Sequence, residues 1–426
     1  MKTRLPLFAA GLAALTAAAA PTVSNVQMSQ PDFAATVTIT YDLADEPAIV
    51  TFDIVTNGVS IGAANVVKAV GDVNRKVEPG TGKSIVWSAF DAWPDHKITN
   101  SCVQAVVTAW ALDNPPPVMV VDLLHKSNIV FYASIDQLPY GGVTNNLYKT
   151  DMLVMRKIPA RGSVFTMGAT VAENSAGTGE SKPHLVAFTN DFYLGVYQVT
   201  QKQLLNVCGE RASSNYTGRA DSDILPCDTV AWGRMGSSTF TSLRDWHNTT
   251  ATSPQGTVSF SLASNSHLRK FAQFTGLCFD IPTGAQWEFA CRAGTGTKYN
   301  NGSMDATTMD ELGWHSGNST NEATNAAEPH PVGLKKPNAF GLYDMHGNVW
   351  EWVLDWKWYA AVDPYTEYDI EPIGPALLTY AQKERRGGSC KTLSNYSGSS
   401  DRSDRNVNSA GGDFTGFRLW APAKMW

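Results

Sequence analysis

The stretch PNAFGLYDMHGNVWEWVLDW, residues 337–356, contains the turn that decides the fold of this chain. Asp344 and Glu351 bracket a Gly-Asn pair, and both residue types favour tight turns. Such a turn points backbone carbonyls inward beside the two carboxylates, and Ca²⁺ prefers an all-oxygen cage of this kind. The alternative is that Glu351 pairs with an arginine and Asp344 caps the turn. The pattern therefore predicts either a structural calcium site or a buried polar turn.

The region around this turn, from about residue 150 to residue 426, is rich in Gly, Trp, Asn and Ser and has short predicted strands. Two capping boxes predict helices inside it. Thr283 with Gln286 begins one in IPTGAQWEFACRAGT (281–295), where Gly294 can end the helix, and Thr200 with Gln203 begins the other. Few other segments have helical periodicity, so the sequence predicts an α+β domain with short strands.

Residues 21–113 have a different pattern. ATVTITYDL (35–43), AIVTFDIV (48–55) and QAVVTAWAL (104–112) alternate apolar and polar residues, as half-buried strands do. This spacing predicts an all-β sandwich of immunoglobulin or fibronectin type that acts as a spacer or docking module. Pro115, Pro116 and Pro117 then open a linker with connecting strands over residues 114–149.

The first 20 residues have the layout of a secretory signal peptide. Lys2 and Arg4 precede an apolar run that ends in small residues near Ala20, and that run is short for a membrane span. We therefore expect a secreted, periplasmic or cell-envelope protein without a membrane span after cleavage. The net charge is −6 and no basic stripe is visible, so nucleic acid is not expected as a partner.

The six cysteines fit an oxidising compartment, where disulfides form. Cys208 with Cys227, and Cys278 with Cys291, are the candidate bridges. The sequence has no CxxC motif and no closely spaced histidine pair, which argues against a zinc or iron enzyme.

Four blocks occur in a fixed order, and together they resemble the formylglycine-generating enzyme, or sulfatase-modifying factor, family over about residues 150–426. The resemblance implies an irregular α+β domain related to C-type lectins. It also implies a calcium ion held by the side chains of Asp344 and Glu351 and the carbonyls of Gly347 and Val349. The blocks are DFYLGVYQVTQKQ (191–203), IPTGAQWEFACRAGT (281–295), PNAFGLYDMHGNVWEWVLDW (337–356) and RRGGSC…GFRLW (385–420).

The family's oxidase holds Cu(I) with two cysteines shortly after a Gly-Gly-Ser triplet and uses O₂ to convert a substrate cysteine to formylglycine. In this chain the two positions fall on Thr392 and Ser397, and the nearby Cys390 is at neither. A neutral hydroxyl does not replace a soft thiolate for Cu(I). The resemblance therefore implies the family fold without its copper chemistry, and no catalytic residue is predicted.

Ser389, Trp350, Tyr396 and Arg405 match active-site or pocket positions of the family. The simpler alternatives are core packing for Trp350 and a turn hydroxyl for Ser389. The segment 391–415, which includes Asn395 and Asp401, is rich in Asn, Ser, Tyr and Asp, a composition similar to that of antibody paratopes. We expect a ligand-binding loop surface there, and an ordinary solvated loop is the alternative.

Three functions remain open on this reading. The first is an exported module that binds a protein or glycan through 391–415, in one version a variable protein diversified by a retroelement. The second is an oxidase that modifies a cysteine or a related substrate. The third is an envelope scaffold without a cleft.

Overall fold

A computed structural model describes residues 20–94, 102–170, 173, 183–213, 216, 218–232, 266–322, 324–357, 367–374, 382–406 and 414–425. The predicted signal peptide lies outside these residues, apart from Ala20. Within the described ranges, no helix has the length and apolar character that a membrane crossing requires.

The N-terminal region forms two antiparallel sheets. One has the strand order β1-β2-β7-β5; in the other, β3 pairs with β4, β6 and β8. Their inward side chains share one core, which includes Ile39, Val50 and Trp87. Assignment to the immunoglobulin or fibronectin class stays a prediction. The elements are β1 (Thr22–Ser29), β2 (Val37–Ala44), β3 (Ala48–Thr56), β4 (Val59–Ser60), β5 (Ala69–Gly71), β6 (Lys76–Val77), β7 (Gly80–Trp87), α1 (Ala89–Ala92) and β8 (Val103–Ala111).

The segment 114–149, expected to be a linker with connecting strands, contributes two strands to the next domain. β9 (Val118–Asp122) and β10 (Ile129–Tyr132) pair with each other, and β9 also pairs with β11 (Met152–Ile158). Met119 and Val121 of β9 are fully buried. The sheet of the second domain therefore starts near residue 118 and not near 150.

The second domain is built from short strands and few helices, as its sequence predicts. A five-stranded sheet has the order β10-β9-β11-β14-β22, and a four-stranded sheet has the order β20-β19-β17-β21. The remaining elements are β12 (Val164–Met167), β13 (His184–Ala187), β14 (Phe192–Gly195), α2 (Gln201–Cys208), α3 (His267–Thr275), α4 (Gly284–Arg292), α5 (Met309–Leu312), β15 (Thr320–Asn321), β16 (Ala326–Ala327), β17 (Trp350–Trp356), β18 (Tyr368–Ile370), β19 (Gln382–Arg386), β20 (Arg402–Asn406), β21 (Thr415–Gly416) and β22 (Trp420–Pro422).

Both predicted capping boxes are confirmed. Thr200 and Thr283 each accept from the backbone N–H three residues on, and Gln203 and Gln286 accept from the N-cap N–H in return. Helix α4 ends one residue earlier than expected, with Ala293 in the left-handed conformation (φ 46°). The buried side chain of Trp287 on α4 shares a core cluster with Leu194 of β14 and Val353 of β17. Helix α4 thus connects the two larger sheets.

Candidate functional site

The turn before β17 is held in a conformation that few residues can adopt. Asp344, Gly347 and Asn348 have φ values of 57°, 109° and 64°. A Cβ at Gly347 would lie 2.1 Å from the carbonyl oxygen of Trp314, so the backbone needs glycine there. Strand β17 then pairs with β19 through Glu351 and Arg386. These contacts fix the carbonyls of the turn relative to the Glu351 carboxylate.

Three of the four oxygens predicted to bind calcium converge on a side-chain amide, and Asp344 joins them through its backbone carbonyl and not through the predicted side chain. Gln198 Nε2 donates to Val349 O at 2.9 Å, to Glu351 Oε1 at 3.0 Å, and to Asp344 O and Gly347 O at 3.3 Å each. Calcium binds oxygen at about 2.3–2.6 Å, so an ion would need the point that this nitrogen occupies. With Gln198 in this place the residues do not fit the ion, and calcium binding stays a prediction.

Glu351 also has the arginine partner that the alternative interpretation predicts. Arg418 donates from Nη2 to Oε1 at 2.8 Å and from Nε to Oε2 at 3.1 Å, and Trp287 Nε1 donates to Oε2 at 2.8 Å. The Asp344 carboxylate accepts from the Gly333 N–H at 2.7 Å through Oδ2. Both carboxylates are buried and each accepts from a protein donor, but Asp344 Oδ1 has no hydrogen-bond partner among the described residues.

The two positions that would hold copper ligands, Thr392 and Ser397, have hydroxyl side chains. Thr392 Oγ1 accepts from the Ser389 N–H at 3.0 Å and lies 3.0 Å from Ser389 Oγ, so Ser389 acts as a turn hydroxyl in this geometry. Ser397 is fully buried against Gly388, where an added Cβ would lie 2.0 Å from Ser397 Oγ. No sulfur stands at either position.

Cys390 is buried in a small cluster with Tyr216, Leu225, Val349 and Phe414, and no other cysteine belongs to that cluster. Burial raises the pKa of its thiol well above the usual range, which keeps the sulfur protonated and unreactive.

Neither expected disulfide is present in the structure, where Cys208, Cys227, Cys278 and Cys291 are separate thiols. The thiol of Cys227 instead donates to Thr200 O at 3.2 Å, at the start of α2. The Cys291 thiol lies 3.7 Å from His346 Nε2. That imidazole is neutral, since burial lowers the pKa of His346 to about 4. Burial raises the pKa of Cys291 to about 12, so this pair has no activated nucleophile.

Three of the six residues expected to bind ligand line one surface cavity. Trp350, Tyr396 and Asp401 enclose about 200 Å³ together with Arg402 and Ser403. Trp350 and Asp401 are almost wholly buried, whereas Tyr396 is 39% exposed.

The other three residues are not among the lining residues. Ser389 is buried under the turn with Thr392. Asn395 contributes its carbonyl oxygen to Lys298 Nζ at 2.7 Å. Arg405 lies on β20, opposite Lys383 of β19.

The prediction of a loop surface over 391–415 needs a correction. Residues Arg402–Asn406 form β20, which pairs with β19, and Ser399 and Ser400 are buried. Serine is small enough for this backbone to pack closely against the domain. The exposed part is the turn with Leu393 and Tyr396, and residues 407–413 lie outside the described part of the chain.

Sequence reasoning missed the buried polar residues that organise the site. Arg418 also donates to the carbonyls of Gly195 and Val196 at 2.9 Å each, which fixes the chain just before Gln198. Glu288 of α4 accepts from Arg292 at 3.0 Å and from Arg386 at 3.2 Å. The available signal was the presence of Gln198 and Arg418 inside otherwise apolar blocks, where a polar side chain needs a buried partner.

Comparison with known proteins fits this arrangement. A family described as the sulfatase-modifying factor enzyme 1-like domain matches residues 150–422, more than half of the chain. The chain belongs to this family. The match covers the turn, the RRGGSC block and the terminal GFRLW block, so the sulfatase-modifying factor resemblance is confirmed for this part of the chain.

Individual relatives match over shorter stretches. The chain is 27% identical over 198 residues to the chaperone protein LppX of Paenibacillus barcinonensis, covering 40% of this chain and 64% of that protein. It is 32% identical over 117 residues to the formylglycine-generating enzyme of Thermomonospora curvata, covering 26% of this chain and 37% of that enzyme. The chain thus spans less than two thirds of these relatives.

Two solved structures are similar at a lower level. Treponema denticola variable protein 1 gives a TM-score of 0.47 at 20% identity, covering 64% of this chain and 95% of that one. PvdO from Pseudomonas aeruginosa gives 0.43 at 22% identity, covering 63% and 94%. No conclusion about function follows from scores of this size.

Proposed function

We propose that this chain is an exported, non-catalytic member of the sulfatase-modifying factor family that binds a ligand at the Trp350 cavity. Two observations together carry the proposal. The domain has this cavity, and it has the hydroxyl residues Thr392 and Ser397 at the two positions where the family resemblance implies copper-binding cysteines. Cys390 supports it, because the buried thiol has no second cysteine in its cluster. A domain without the thiolate pair retains the cavity as a place for recognition.

The cavity combines aromatic faces with charged groups. Arg385 lies over the Trp350 ring at 4.9 Å and fixes the indole plane. Asp401 accepts from the Gly398 N–H at 2.6 Å, which orients its carboxylate, and Arg402 lies beside it. Together they suit a polar ligand with one flat apolar face, such as a sugar ring or a peptide side chain.

Exposed side chains beside the cavity offer contact area to a larger partner. Leu393 is 58% exposed and Tyr396 is 39% exposed, and both belong to the turn beside the cavity. Tyrosine contributes large contact area at low cost in conformational entropy, as it does in paratopes. In this proposal the N-terminal sheets serve as a spacer, and the segment 1–20 directs export.

Retroelement diversification is a narrower version of the proposal. Tyr396 and Asp401 lie within the candidate variable segment and also line the cavity, so changes at these positions would alter recognition directly. Sequencing the coding DNA and its flanks tests this version, which requires a near-identical template copy of the segment that encodes 391–415. Absence of such a copy would leave an ordinary binding module.

The test is a binding screen with matched variants. The purified chain is passed over immobilised glycans and cell-surface proteins, and each hit is repeated with Tyr396→Ala and Asp401→Asn. We expect each change to weaken binding about tenfold or more, a loss of about 1.4 kcal/mol. Leu334→Ser is the control, because Leu334 is 57% exposed but does not line the cavity. Undiminished binding by both cavity variants would disprove the proposed site.

A further inference from the structure

The side-chain amide of Gln198 is surrounded by oxygens in the way that a bound cation would be. Four oxygens surround its Nε2 at 2.9–3.3 Å, and they come from three backbone carbonyls and one carboxylate. The side chain is 1% exposed, so water does not compete for these contacts. An amide NH₂ carries two hydrogens and a partial positive charge, and here it is shared among four acceptors.

We propose that the Gln198 amide replaces the calcium ion, so that this chain completes its four-oxygen cage without metal. The ion and the nitrogen require the same point and exclude each other. The cage keeps its shape because each oxygen still faces a donor, and an unsatisfied buried carbonyl would be destabilising.

The charge balance around Glu351 agrees with an amide in the cage. A cation is favoured where carboxylates are uncompensated, but Glu351 already has an ion pair with Arg418 at 2.8 Å. Trp287 donates a further hydrogen bond to the same carboxylate at 2.8 Å. The neutral amide adds donors and no charge, so the pair stays balanced. A divalent ion at this point would lie close to the guanidinium of Arg418 and would be repelled by it.

The position of Gln198 is set by elements on both sides of it. Arg418 Nη1 donates to the carbonyls of Gly195 and Val196, and Thr200 caps α2 two residues later. Gln198 therefore enters the cage from a fixed backbone. To admit an ion, its side chain would have to leave a buried site.

The test compares thermal unfolding of the full chain in EGTA and in excess calcium, with calcium titration calorimetry on the wild type. We expect the same unfolding temperature in both conditions and no heat of binding for the wild type. The variant Gln198→Glu places a second carboxylate beside Glu351. We expect it to be destabilised in EGTA and to regain about 5 °C or more with calcium.

Gln203→Glu is the matched control. Gln203 is also buried and donates from Nε2 to the carbonyls of Tyr148 at 3.2 Å and Met152 at 2.8 Å, so both of its acceptors are backbone oxygens. It should lose stability equally with and without calcium. One tightly bound calcium in the wild type would overturn the proposal, and this measurement decides even if Gln198→Glu does not fold. A folded Gln198→Glu chain whose unfolding temperature does not change with calcium would also contradict the proposal.

Discussion

Single side chains set the chemistry of this domain. Thr392 and Ser397 stand at the two positions where the family resemblance implies copper thiolates, and Gln198 donates to oxygens where it implies a calcium ion. In our proposals each of these positions has a neutral hydrogen-bonding group in place of a soft or charged one. The family fold persists because neutral groups can satisfy the same backbone donors and acceptors.

A buried carboxyl predicts how stability changes with pH. Asp228 is fully buried, and burial raises its pKa from 3.8 to about 6. The folded state therefore holds its proton more tightly than the unfolded chain. The contribution of this group to the free energy of unfolding is fully present below about pH 4. It falls by about 3 kcal/mol in total as the pH rises through about 6. Asp228→Asn should thus gain stability relative to the wild type between these values.

Denaturant unfolding of both proteins across this pH range measures the difference. Gln201 Nε2 donates to Asp228 Oδ1 at 3.1 Å, and asparagine keeps an oxygen there, so folding should survive. Other titrating groups are common to both proteins and cancel. A wild type that gains stability relative to Asp228→Asn as the pH rises would contradict the buried, raised pKa.

Gly347→Ala tests the turn of the cage. The added Cβ would meet Trp314 O at 2.1 Å, and φ is already 109°. Gly162 is the control, because it has φ 74° and nothing within 4 Å of an added Cβ. We expect about 1–2 kcal/mol of destabilisation for Gly162→Ala from conformation alone, and a larger loss or no folding for Gly347→Ala. Equal denaturation midpoints for the two variants would show that the close contact is absent.

The N-cap of α4 gives a prediction for one element. Thr283 accepts from the Gln286 N–H at 3.1 Å, and Gln286 accepts from the Thr283 N–H at 3.0 Å. Thr283→Ala should cost about 1 kcal/mol in chemical denaturation. Ser88→Ala is the control, since Ser88 precedes α1 without a side-chain capping bond. Equal small effects in both variants would mean that the capping box adds nothing to stability.

Elements defined by local chemistry were predictable, and those defined by distant partners were not. The two capping boxes lie within four residues each, so the sequence predicts them correctly. Val118–Asp122 forms a strand of the second domain only because Met152–Ile158 lies beside it, which composition does not reveal. Ser399 and Ser400 look like loop residues, but the fold buries them.

The partners of the candidate site could not be predicted from the sequence because they lie far from it along the chain. Asp344 and Glu351 were found because they bracket one turn. Gln198 lies 146 positions before Asp344, and Arg418 lies 67 positions after Glu351. Without knowledge of these two partners, the carboxylates left a calcium site and a buried polar turn as alternatives. The structure supplies the donors that sequence spacing could not.

The domain boundary gives a prediction for the whole molecule. A shortened chain that starts at residue 114 keeps β9 and β10 on the five-stranded sheet. One that starts at residue 150 loses both strands and uncovers the edge of β11, so we expect it to aggregate. Size-exclusion chromatography and circular dichroism compare the two chains. A monomeric, cooperatively folding chain from residue 150 would show that β9 and β10 are dispensable.

The central claim is that this member of the sulfatase-modifying factor family recognises a ligand and has lost the copper chemistry. Titration of the reduced, full-length chain with Cu(I), followed by mass spectrometry of a cysteine-containing substrate peptide of the CxPxR type, tests it most directly. We predict no tight one-to-one copper binding and no conversion of the peptide cysteine to formylglycine. Stoichiometric Cu(I) binding with peptide oxidation, both lost in Cys390→Ser, would contradict the account.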